Sequence, residues 1–220
     1  MENKINMLIF GPPGSGKGTQ CRILSEIYPS ISVISTGDLL RDQAKLDTDD
    51  GRKIRHIMES GDLVDDDLVC RMFSASINSI SNGFLLDGFP RNLSQAKFLT
   101  KILEERNNKI NIVIQLQLDL DTIKSRLCGR IVCKDCGQVS NLHFFDKAID
   151  EITCKFCKGR LDYRYDDKIE VIVKRVNQYY EEMKDLELYY HDKIIQIDAG
   201  KSIDKVTQDI KERIEYLIID

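Results

Sequence analysis

The sequence has no apolar run long enough to cross a bilayer, although 42% of its 220 residues are hydrophobic. A membrane-spanning helix needs about 20 consecutive apolar residues, so the sequence predicts no such helix. Its first ten residues hold one short apolar run and no basic segment before it, so a secretory signal is not expected either. We therefore expect a cytoplasmic protein without a membrane partner.

Proline- or glycine-rich linkers, internal repeats and low-complexity tracts are also missing from the sequence. A chain of this length buries roughly 70% of its unfolded surface, so one self-sufficient domain with insertions is expected. We also expect a monomer, although chain length does not determine the oligomeric state. The net charge is −4. This charge gives no overall attraction to nucleic acid, and any bound anion must be held by local lysines and arginines.

Seven cysteines are present, and four of them form two Cys-x-x-Cys pairs separated by 17 residues. These are Cys133, Cys136, Cys154 and Cys157. The spacing is typical of a structural four-thiolate Zn²⁺ site, and Gly137 and Gly159 follow the pairs closely. Two redox disulfides or an iron–sulfur centre are the alternatives. His143 is not needed as a ligand and is expected at the surface.

The other three cysteines, Cys21, Cys70 and Cys128, are expected to be buried or half-buried thiols.

Short apolar runs alternate with helical patterns along the chain, which indicates an α/β fold with a parallel sheet covered on both faces. The expected strands are residues 5–10, 33–34, 84–86, 112–118 and 194–197. Residues 37–81 and 129–165 interrupt the alternation and are interpreted as insertions.

The last segment has apolar residues at helical spacing, which predicts one buried helix face made of Ile203, Val206, Ile210, Ile214 and Leu217.

A glycine-rich loop lies directly between the first strand and the first helical pattern. It reads Gly-Pro-Pro-Gly-Ser-Gly-Lys-Gly-Thr over residues 11–19. Such a loop turns several backbone N–H groups toward an anion at a helix N-terminus, and Lys17 adds a positive charge. Gly18 stands where Ser or Thr usually follows the lysine, and the hydroxyl comes at Thr19. In this form the loop resembles the phosphate loop of the adenylate kinase family.

Two further segments resemble that family. Ser-Thr-Gly-Asp-Leu-Leu-Arg occupies residues 35–41, where Thr36 or Asp38 could also cap a helix. Asp-Gly-Phe-Pro-Arg occupies residues 87–91, with Gln95 four residues after Arg91. In the family these segments contact AMP, and Thr36 with Gln95 favours adenine over pyrimidines. Asp87 is suited to hold Mg²⁺ through water, or to serve as a buried polar anchor.

The resemblance covers nearly the whole chain and implies a zinc-lid, bacterial-type enzyme. The expected fold is the P-loop nucleoside triphosphate fold, with five parallel strands and flanking helices. Residues 1–220 would form a single kinase core, residues 35–64 a helical AMP-binding insertion and residues 129–167 a zinc-ribbon lid. The implied reaction is direct in-line transfer between ATP and AMP to give two ADP, with Mg²⁺ accompanying ATP.

The resemblance also implies the site residues. Transfer needs cations aimed at the moving phosphoryl group, and no covalent intermediate. The expected catalytic residues are Lys17, Arg91, Arg130, Arg164 and Arg175. The expected ATP-binding residues are Gly14, Ser15, Gly16, Lys17, Gly18, Thr19, Arg126, Arg130, Val139, Ser140 and Lys201. The expected AMP-binding residues are Thr36, Arg41, Asp62, Leu63, Val64, Gly88, Phe89, Pro90, Arg91, Gln95, Arg164 and Arg175.

Asp166 and Asp167 resemble a family pair that orients these arginines, although acidic residues also favour a helix start. The chain departs from the family pattern at Ile131, where a second arginine is common, at Val139-Ser140, and at residues 198–201. Two other functions stay open. One is a kinase for UMP, CMP or GMP, and the other is a zinc-ribbon module that binds nucleic acid, which the net acidity disfavours.

Overall fold

The computed structural model describes residues 5–164 and 167–219; the side chains of residues 169 and 217–219 are not included in the description. Within these residues the strands are β1 (Asn6–Phe10), β2 (Ile31–Ser35), β3 (Gly83–Asp87), β4 (Ile112–Gln117), β5 (Arg130–Cys133), β6 (Val139–Asn141), β7 (Leu161–Tyr163) and β8 (Ile194–Asp198). The helices are α1 (Lys17–Ile27), α2 (Thr36–Lys45), α3 (Asp49–Ser60), α4 (Asp66–Asn78), α5 (Leu93–Glu104), α6 (Leu120–Cys128), α7 (Ile169–Tyr189) and α8 (Ile203–Ile219).

Five parallel strands form the central sheet in the order β2-β3-β1-β4-β8. Every residue of β1 is buried, as are nearly all of β3 and β4, because helices cover both faces of the sheet. The predicted α/β class and parallel sheet are confirmed. In the register, Ser35 and Ile9 both lie beside Asp87, so the carboxyl ends of β1, β2 and β3 meet at one edge.

The core has one layer on each side of the sheet. Phe73, Phe84 and Leu99 belong to the layer under α2, α3, α4, α5 and part of α7. Ile114 and Ile210 belong to the layer under α1, α6 and α8. The parallel sheet is thus enclosed between two apolar layers, which leaves its carboxyl edge as the place where polar loops gather.

The C-terminal helix face is only partly as predicted. Val206, Ile210 and Ile214 are buried, but Ile203 is 46% exposed. Ile203 is the first residue of α8, and the helix joins the core one turn later. The side chain of Leu217 lies outside the described residues.

Residues 37–81 contain three helices, and none of the described residues there belongs to a strand. Helix α2 is capped by Ser35, whose hydroxyl accepts from the N–H of Asp38 at 3.3 Å. The prediction that Thr36 or Asp38 caps this helix was wrong. Strand β2 runs directly into the helix, so the cap is the last residue of the strand and Thr36 is left for another role.

The segment expected to form the lid, here called the lid segment, is described over residues 129–164 and at residue 167. It contains a three-stranded antiparallel sheet in the order β6-β5-β7 and two short 3₁₀ turns at Leu142–Phe144 and Ile149–Glu151. Its small core is built around Ile131, Cys133, Cys154 and Leu161, with Ile131 fully buried. An arginine at position 131 would need its charge satisfied inside this core, so Ile131 contributes packing to the lid.

Cys21 is buried and Cys70 half-buried, as expected. Cys128 is exposed, which corrects the expectation for this residue, because it ends α6 on the side away from Ile123 and Leu127. Across the described part of the chain, no helix combines the length and the apolar character that a bilayer crossing requires.

Leu99 offers a test of this core, since its side chain is completely buried in α5. Leu99→Ala should lower the free energy of unfolding by about 2–5 kcal/mol, because it leaves a cavity between helix and sheet. Leu188→Ala makes the same change in α7 at a residue that is 75% exposed, and should change it by less than about 0.5 kcal/mol. Urea denaturation measures both; equal effects would contradict this packing.

Candidate active site

The glycine-rich loop joins β1 to α1 and ends in a bare helix N-terminus. Gly16 precedes the helix with φ of 93°, a backbone conformation that favours glycine. In the described chain no side chain caps α1 and no acidic residue lies in its first turn. The first N–H groups of α1 are therefore available to an anion, and the helix dipole favours negative charge there.

Lys17 folds back over this loop. Its Nζ donates to the carbonyl oxygens of Gly11 at 2.6 Å and Pro12 at 3.1 Å. Burial lowers the pKa of Lys17 to about 8; Asp87 opposes that shift, and Arg91, Arg175 and Arg130 add to it. Loss of solvent and the neighbouring arginines thus disfavour the charge of the ammonium group, and a bound polyanion would offset that cost.

Asp87 ends β3 beside this lysine. Burial raises the pKa of Asp87, while the positive charge of Lys17 works in the opposite direction. A Cβ placed on Gly18 would be 3.9 Å from Oδ2 of Asp87, so the carboxylate faces the start of α1. A half-buried carboxylate next to a phosphate cradle fits the needs of a Mg²⁺ ion that keeps most of its waters.

One cleft of about 1060 Å³ connects the loop to the lid segment and to the helices between β2 and β3. Most of the predicted site residues line it: Gly14, Ser15, Gly16, Lys17, Gly18, Thr19, Arg41, Asp62, Leu63, Val64, Gly88, Pro90, Arg91, Arg126, Arg130, Val139, Ser140, Arg164, Arg175 and Lys201. Three predicted residues, Thr36, Phe89 and Gln95, are buried behind its wall. The volume exceeds that of most single-ligand pockets, which reach about 1,000 Å³.

Arg130 and Arg175 converge on one carboxylate. Nε of Arg130 donates to Oδ2 of Asp167 at 2.5 Å and its Nη2 donates to Oδ1, while Nη1 of Arg175 lies 3.6 Å from Oδ1. The Asp167 side chain is 5% exposed. A two-point bond of this kind fixes the plane of a guanidinium, so Asp167 orients Arg130 and places a negative charge near Arg175. Asp166 lies outside the described residues.

The opposite wall presents Arg41 and Arg91. Nη2 of Arg41 pairs with Asp38 at 2.5 Å. Nε of Arg91 donates to the carbonyl oxygen of Gly88 at 3.2 Å, and burial lowers the pKa of Arg91, with Glu182 acting against that shift. Behind them, the hydroxyl of Thr36 is buried and has no hydrogen-bond partner among the described residues. Such an unsatisfied group is typical of a ligand site.

The remaining predicted residues hold other partners. Nη2 of Arg126 donates to the carbonyl oxygen of Ala199 at 2.9 Å, and Nζ of Lys201 pairs with Asp209 at 2.7 Å. Asp62 lies at the surface and pairs with Lys174 at 2.5 Å. Phe89 stacks on Phe73 with ring centroids 4.2 Å apart, so its ring supports the wall from within the core.

One face of α7 also lines the cleft and was missed in the sequence. After Arg175 the lining residues are Gln178, Tyr179, Glu182, Met183 and Leu186. They follow Arg175 at helical spacing, so the pattern could have been found by extending the helix face from that arginine. Burial raises the pKa of Glu182, and Arg91 opposes the shift.

The four paired cysteines form a single cluster with all Sγ atoms within 4.8 Å of one another. The Sγ atoms of Cys133 and Cys157 are 3.4 Å apart, and those of Cys136 and Cys154 are 3.7 Å apart. A disulfide needs about 2.05 Å, whereas a tetrahedral Zn²⁺ ion places its sulfurs about 3.8 Å apart. The residues fit a four-coordinate metal ion with no open position.

The two knuckles have the same backbone design. The N–H of Gly137 donates to the carbonyl of Cys133 at 3.0 Å, and that of Lys158 donates to Cys154 at 2.9 Å. Gly137 has φ of 70° and Lys158 has φ of 63°. The left-handed residue of the second knuckle is thus Lys158, while the N–H of Gly159 points at Sγ of Cys157 at 3.4 Å. His143 is exposed and outside the cluster, as expected.

Comparison with known proteins assigns the family. A family model described as adenylate kinase matches residues 9–195. The chain is 43% identical over 214 residues to the adenylate kinase of Wolbachia sp. subsp. Drosophila simulans (strain wRi), covering 96% of this chain and 98% of that one. It is 38% identical to the enzyme of Methanocella arvoryzae over 217 residues, covering 97% and 100%. This chain belongs to the adenylate kinase family.

Membership makes the protein a phosphotransferase that binds adenine nucleotides. A further relative, the adenylate kinase of Caldanaerobacter subterraneus subsp. tengcongensis (strain DSM 15242 / JCM 11007 / NBRC 100824 / MB4), is 38% identical over 212 residues, 94% of this chain and 95% of that one. The matches extend through the cysteine-bearing segment. The resemblance first suggested by the phosphate loop is therefore confirmed over nearly the full length.

The pKa of Lys17 gives a pH test of the phosphate cradle. Because that pKa is lowered to about 8, the free enzyme loses the ammonium charge as the pH rises through 8. The kcat/KM for ATP should fall about tenfold per pH unit above this value, since kcat/KM reports groups of the free enzyme. Steady-state kinetics from pH 6.5 to 9.5 measure it. A constant kcat/KM across that range would contradict the role of the ammonium.

The cysteine cluster gives a second test. Purified protein should contain one Zn²⁺ per chain, measured by atomic emission, because four thiolates are gathered in one place. Cys154→Ser should lose the metal and destabilise the lid segment, while Cys128→Ser, outside the cluster, should retain both. Full metal content in Cys154→Ser would contradict the site.

Proposed function

We propose that the protein catalyses the reversible reaction of ATP with AMP to give two ADP. A phosphate oxygen of AMP forms a bond to the γ-phosphorus of ATP as the bond from that phosphorus to the β–γ bridging oxygen breaks. The electron pair of the broken bond leaves with ADP. The observation that carries the proposal is the cleft in which the bare N-terminus of α1 and Lys17 face a group of arginines.

The donor would bind at the glycine-rich loop. Backbone N–H groups of residues 14–19 and the ammonium of Lys17 would hold its β- and γ-phosphates. Lys17 now bonds carbonyl oxygens of its own loop, and these bonds would be exchanged for phosphate oxygens. Arg126, Val139, Ser140 and Lys201 line the same end of the cleft and would contact the rest of ATP.

The acceptor would bind on the opposite wall. Arg41 and Arg91 would hold the phosphate of AMP, since a guanidinium can bond two phosphate oxygens at once. Asp62, Leu63, Val64 and Gly88 line that wall, and the unpaired hydroxyl of Thr36 lies just behind it. We assign the helical insertion at residues 35–64 to AMP binding on this basis.

The travelling phosphoryl group would lie between Arg130, Arg164 and Arg175. Charge develops on its equatorial oxygens, and fixed guanidiniums stabilise that charge without reorganising. Asp167 fixes Arg130 before substrate arrives and lies 3.6 Å from Arg175. Asp87 and the hydroxyl of Thr19 would hold Mg²⁺, which neutralises charge between the β- and γ-phosphates when bound.

The lid segment would close the donor side. Its cysteine cluster, holding Zn²⁺, keeps this small flap in shape, and residues 130 and 164 lie on either side of the cluster in sequence. Water at the γ-phosphate would hydrolyse ATP, so exclusion of water protects the transfer. The proposed residues line the cleft of a single chain or lie just behind its wall, so a monomer is sufficient. The net charge of −4 disfavours binding of nucleic acid.

A panel of acceptors tests this function. With ATP and Mg²⁺, the wild type should phosphorylate AMP faster than UMP, CMP or GMP, followed by ADP formation. Lys17→Met should lower kcat/KM at least about a hundredfold, because a charge at the transferred group is removed.

The control for that variant is Lys97→Met, which makes the same exchange at an exposed position of α5. It should retain wild-type rates. If the wild type prefers another monophosphate, that nucleotide and not AMP is the acceptor. Equal rates for Lys17→Met and Lys97→Met would reject the phosphate-loop assignment.

A further inference from the structure

Gln95 is held by two partners of opposite kind. Its Oε1 accepts from the backbone N–H of Arg91 at 2.9 Å, and its Nε2 donates to Oδ1 of Asp66 at 2.6 Å. A backbone N–H can only donate and an ionised carboxylate can only accept. The side-chain amide of Gln95 therefore has a single satisfied orientation, although amide oxygen and nitrogen are otherwise similar in shape.

The carboxylate of Asp66 is itself held by Asn92, the residue that caps the N-terminus of α5. Nδ2 of Asn92 lies 3.1 and 2.9 Å from its two carboxylate oxygens. Oδ1 of Asn92 accepts from the backbone N–H of Gln95 at 2.9 Å, which caps α5. Asp66, Asn92 and Gln95 thus form a closed network in which each group has its donor or acceptor assigned.

This network joins the two segments that form the acceptor wall. Asp66 begins α4 two residues after Val64 of the wall, and Gln95 follows the wall residues Gly88, Pro90 and Arg91. Gln95 is 3% exposed and lies directly behind Arg91. Its two side-chain bonds leave one hydrogen on Nε2 and one lone pair on Oε1, which is the donor and acceptor set that pairs with an adenine edge.

The orientation of the amide matters because adenine and the 6-oxopurines present hydrogen-bond donors and acceptors in opposite order. Adenine presents an amino donor beside a ring-nitrogen acceptor, whereas hypoxanthine presents a carbonyl oxygen beside a ring N–H. An amide turned by 180° would match hypoxanthine and oppose adenine. We infer that Asp66 is a positioning residue that selects adenine over 6-oxopurines by fixing the amide of Gln95, an inference that rests on the proposed transfer to AMP.

The test compares AMP with its 6-oxo analogue, inosine monophosphate, at saturating ATP. Asp66→Asn keeps the shape but lets this group donate as well as accept, so only the backbone N–H of Arg91 still holds the amide of Gln95 in its orientation. The ratio of kcat/KM for AMP to that for inosine monophosphate should fall about tenfold or more, the effect of one charge-assisted hydrogen bond. KM for AMP should rise, while KM for ATP stays unchanged.

Asp67→Asn is the matched control, since it removes the same charge from the next residue of α4, which is exposed. It should keep the wild-type ratio. A ratio is independent of the amount of folded enzyme, so partial unfolding of Asp66→Asn does not imitate the effect. In a Gln95→Ala background, Asp66→Asn should not change the ratio further, because the carboxylate acts through that amide.

An unchanged ratio in Asp66→Asn would overturn the inference while leaving the proposed function intact. An equal loss with both acceptors would also overturn it, because the carboxylate would then act on Arg91 and not on the base. Failure of the wild type to form ADP from AMP would reject the proposed function itself, and the inference with it.

Discussion

The site depends on the concentration of positive charge at the carboxyl edge of the sheet. Lys17 is half-buried at a helix N-terminus; loss of solvent around its ammonium group, together with three arginine charges, lowers its pKa to about 8. Repulsion between neighbouring positive charges destabilises the folded chain unless carboxylates balance those charges. Asp87 and Asp167 supply that compensation, one beside the lysine and one between two arginines. A polyphosphate would complete the charge balance, so substrate affinity follows from an arrangement that the protein alone leaves cationic.

The sheet could be predicted because its signal is local. Strands buried on both faces are almost wholly apolar, so β1, β3 and β4 were found within a residue or two of their bounds. The edge strand β8 was found equally well from its apolar residues, although it is less buried. The residues at which helices begin were harder to predict. Ser35 caps α2 from the end of a strand, and Ile203 precedes the turn at which α8 meets the core. Both depend on the angle at which a helix leaves its neighbour, which the residue pattern does not contain.

The site divides in the same way. The phosphate loop and the cysteine pairs were predictable because their chemistry lies in consecutive residues, and family resemblance supplied the separate arginines. Contacts between distant segments were not predictable: Asp66 and Gln95 are 29 residues apart, and the cleft-facing side of α7 is defined only once the helix packs. The left-handed residue of the second knuckle, Lys158, was not predictable either, because its conformation is set by the hydrogen bond from its N–H to the carbonyl oxygen of Cys154.

The lid segment is stabilised differently from the rest of the protein. Its core contains four buried residues in the described structure, and two of them are cysteines of the cluster, whereas each layer against the central sheet contains about twenty. So small a core contributes little hydrophobic free energy, and a closed metal site is the usual substitute. Its one described cation–π contact with α1 sets Phe156 of the second knuckle 5.1 Å below the Arg22 guanidinium. Such a contact is worth about 0.5–1 kcal/mol at an exposed site, small enough to form and break as the flap moves. Under the proposed function, a metal ion bound by the four cysteines would stiffen this segment, so that it could close over the donor as one body.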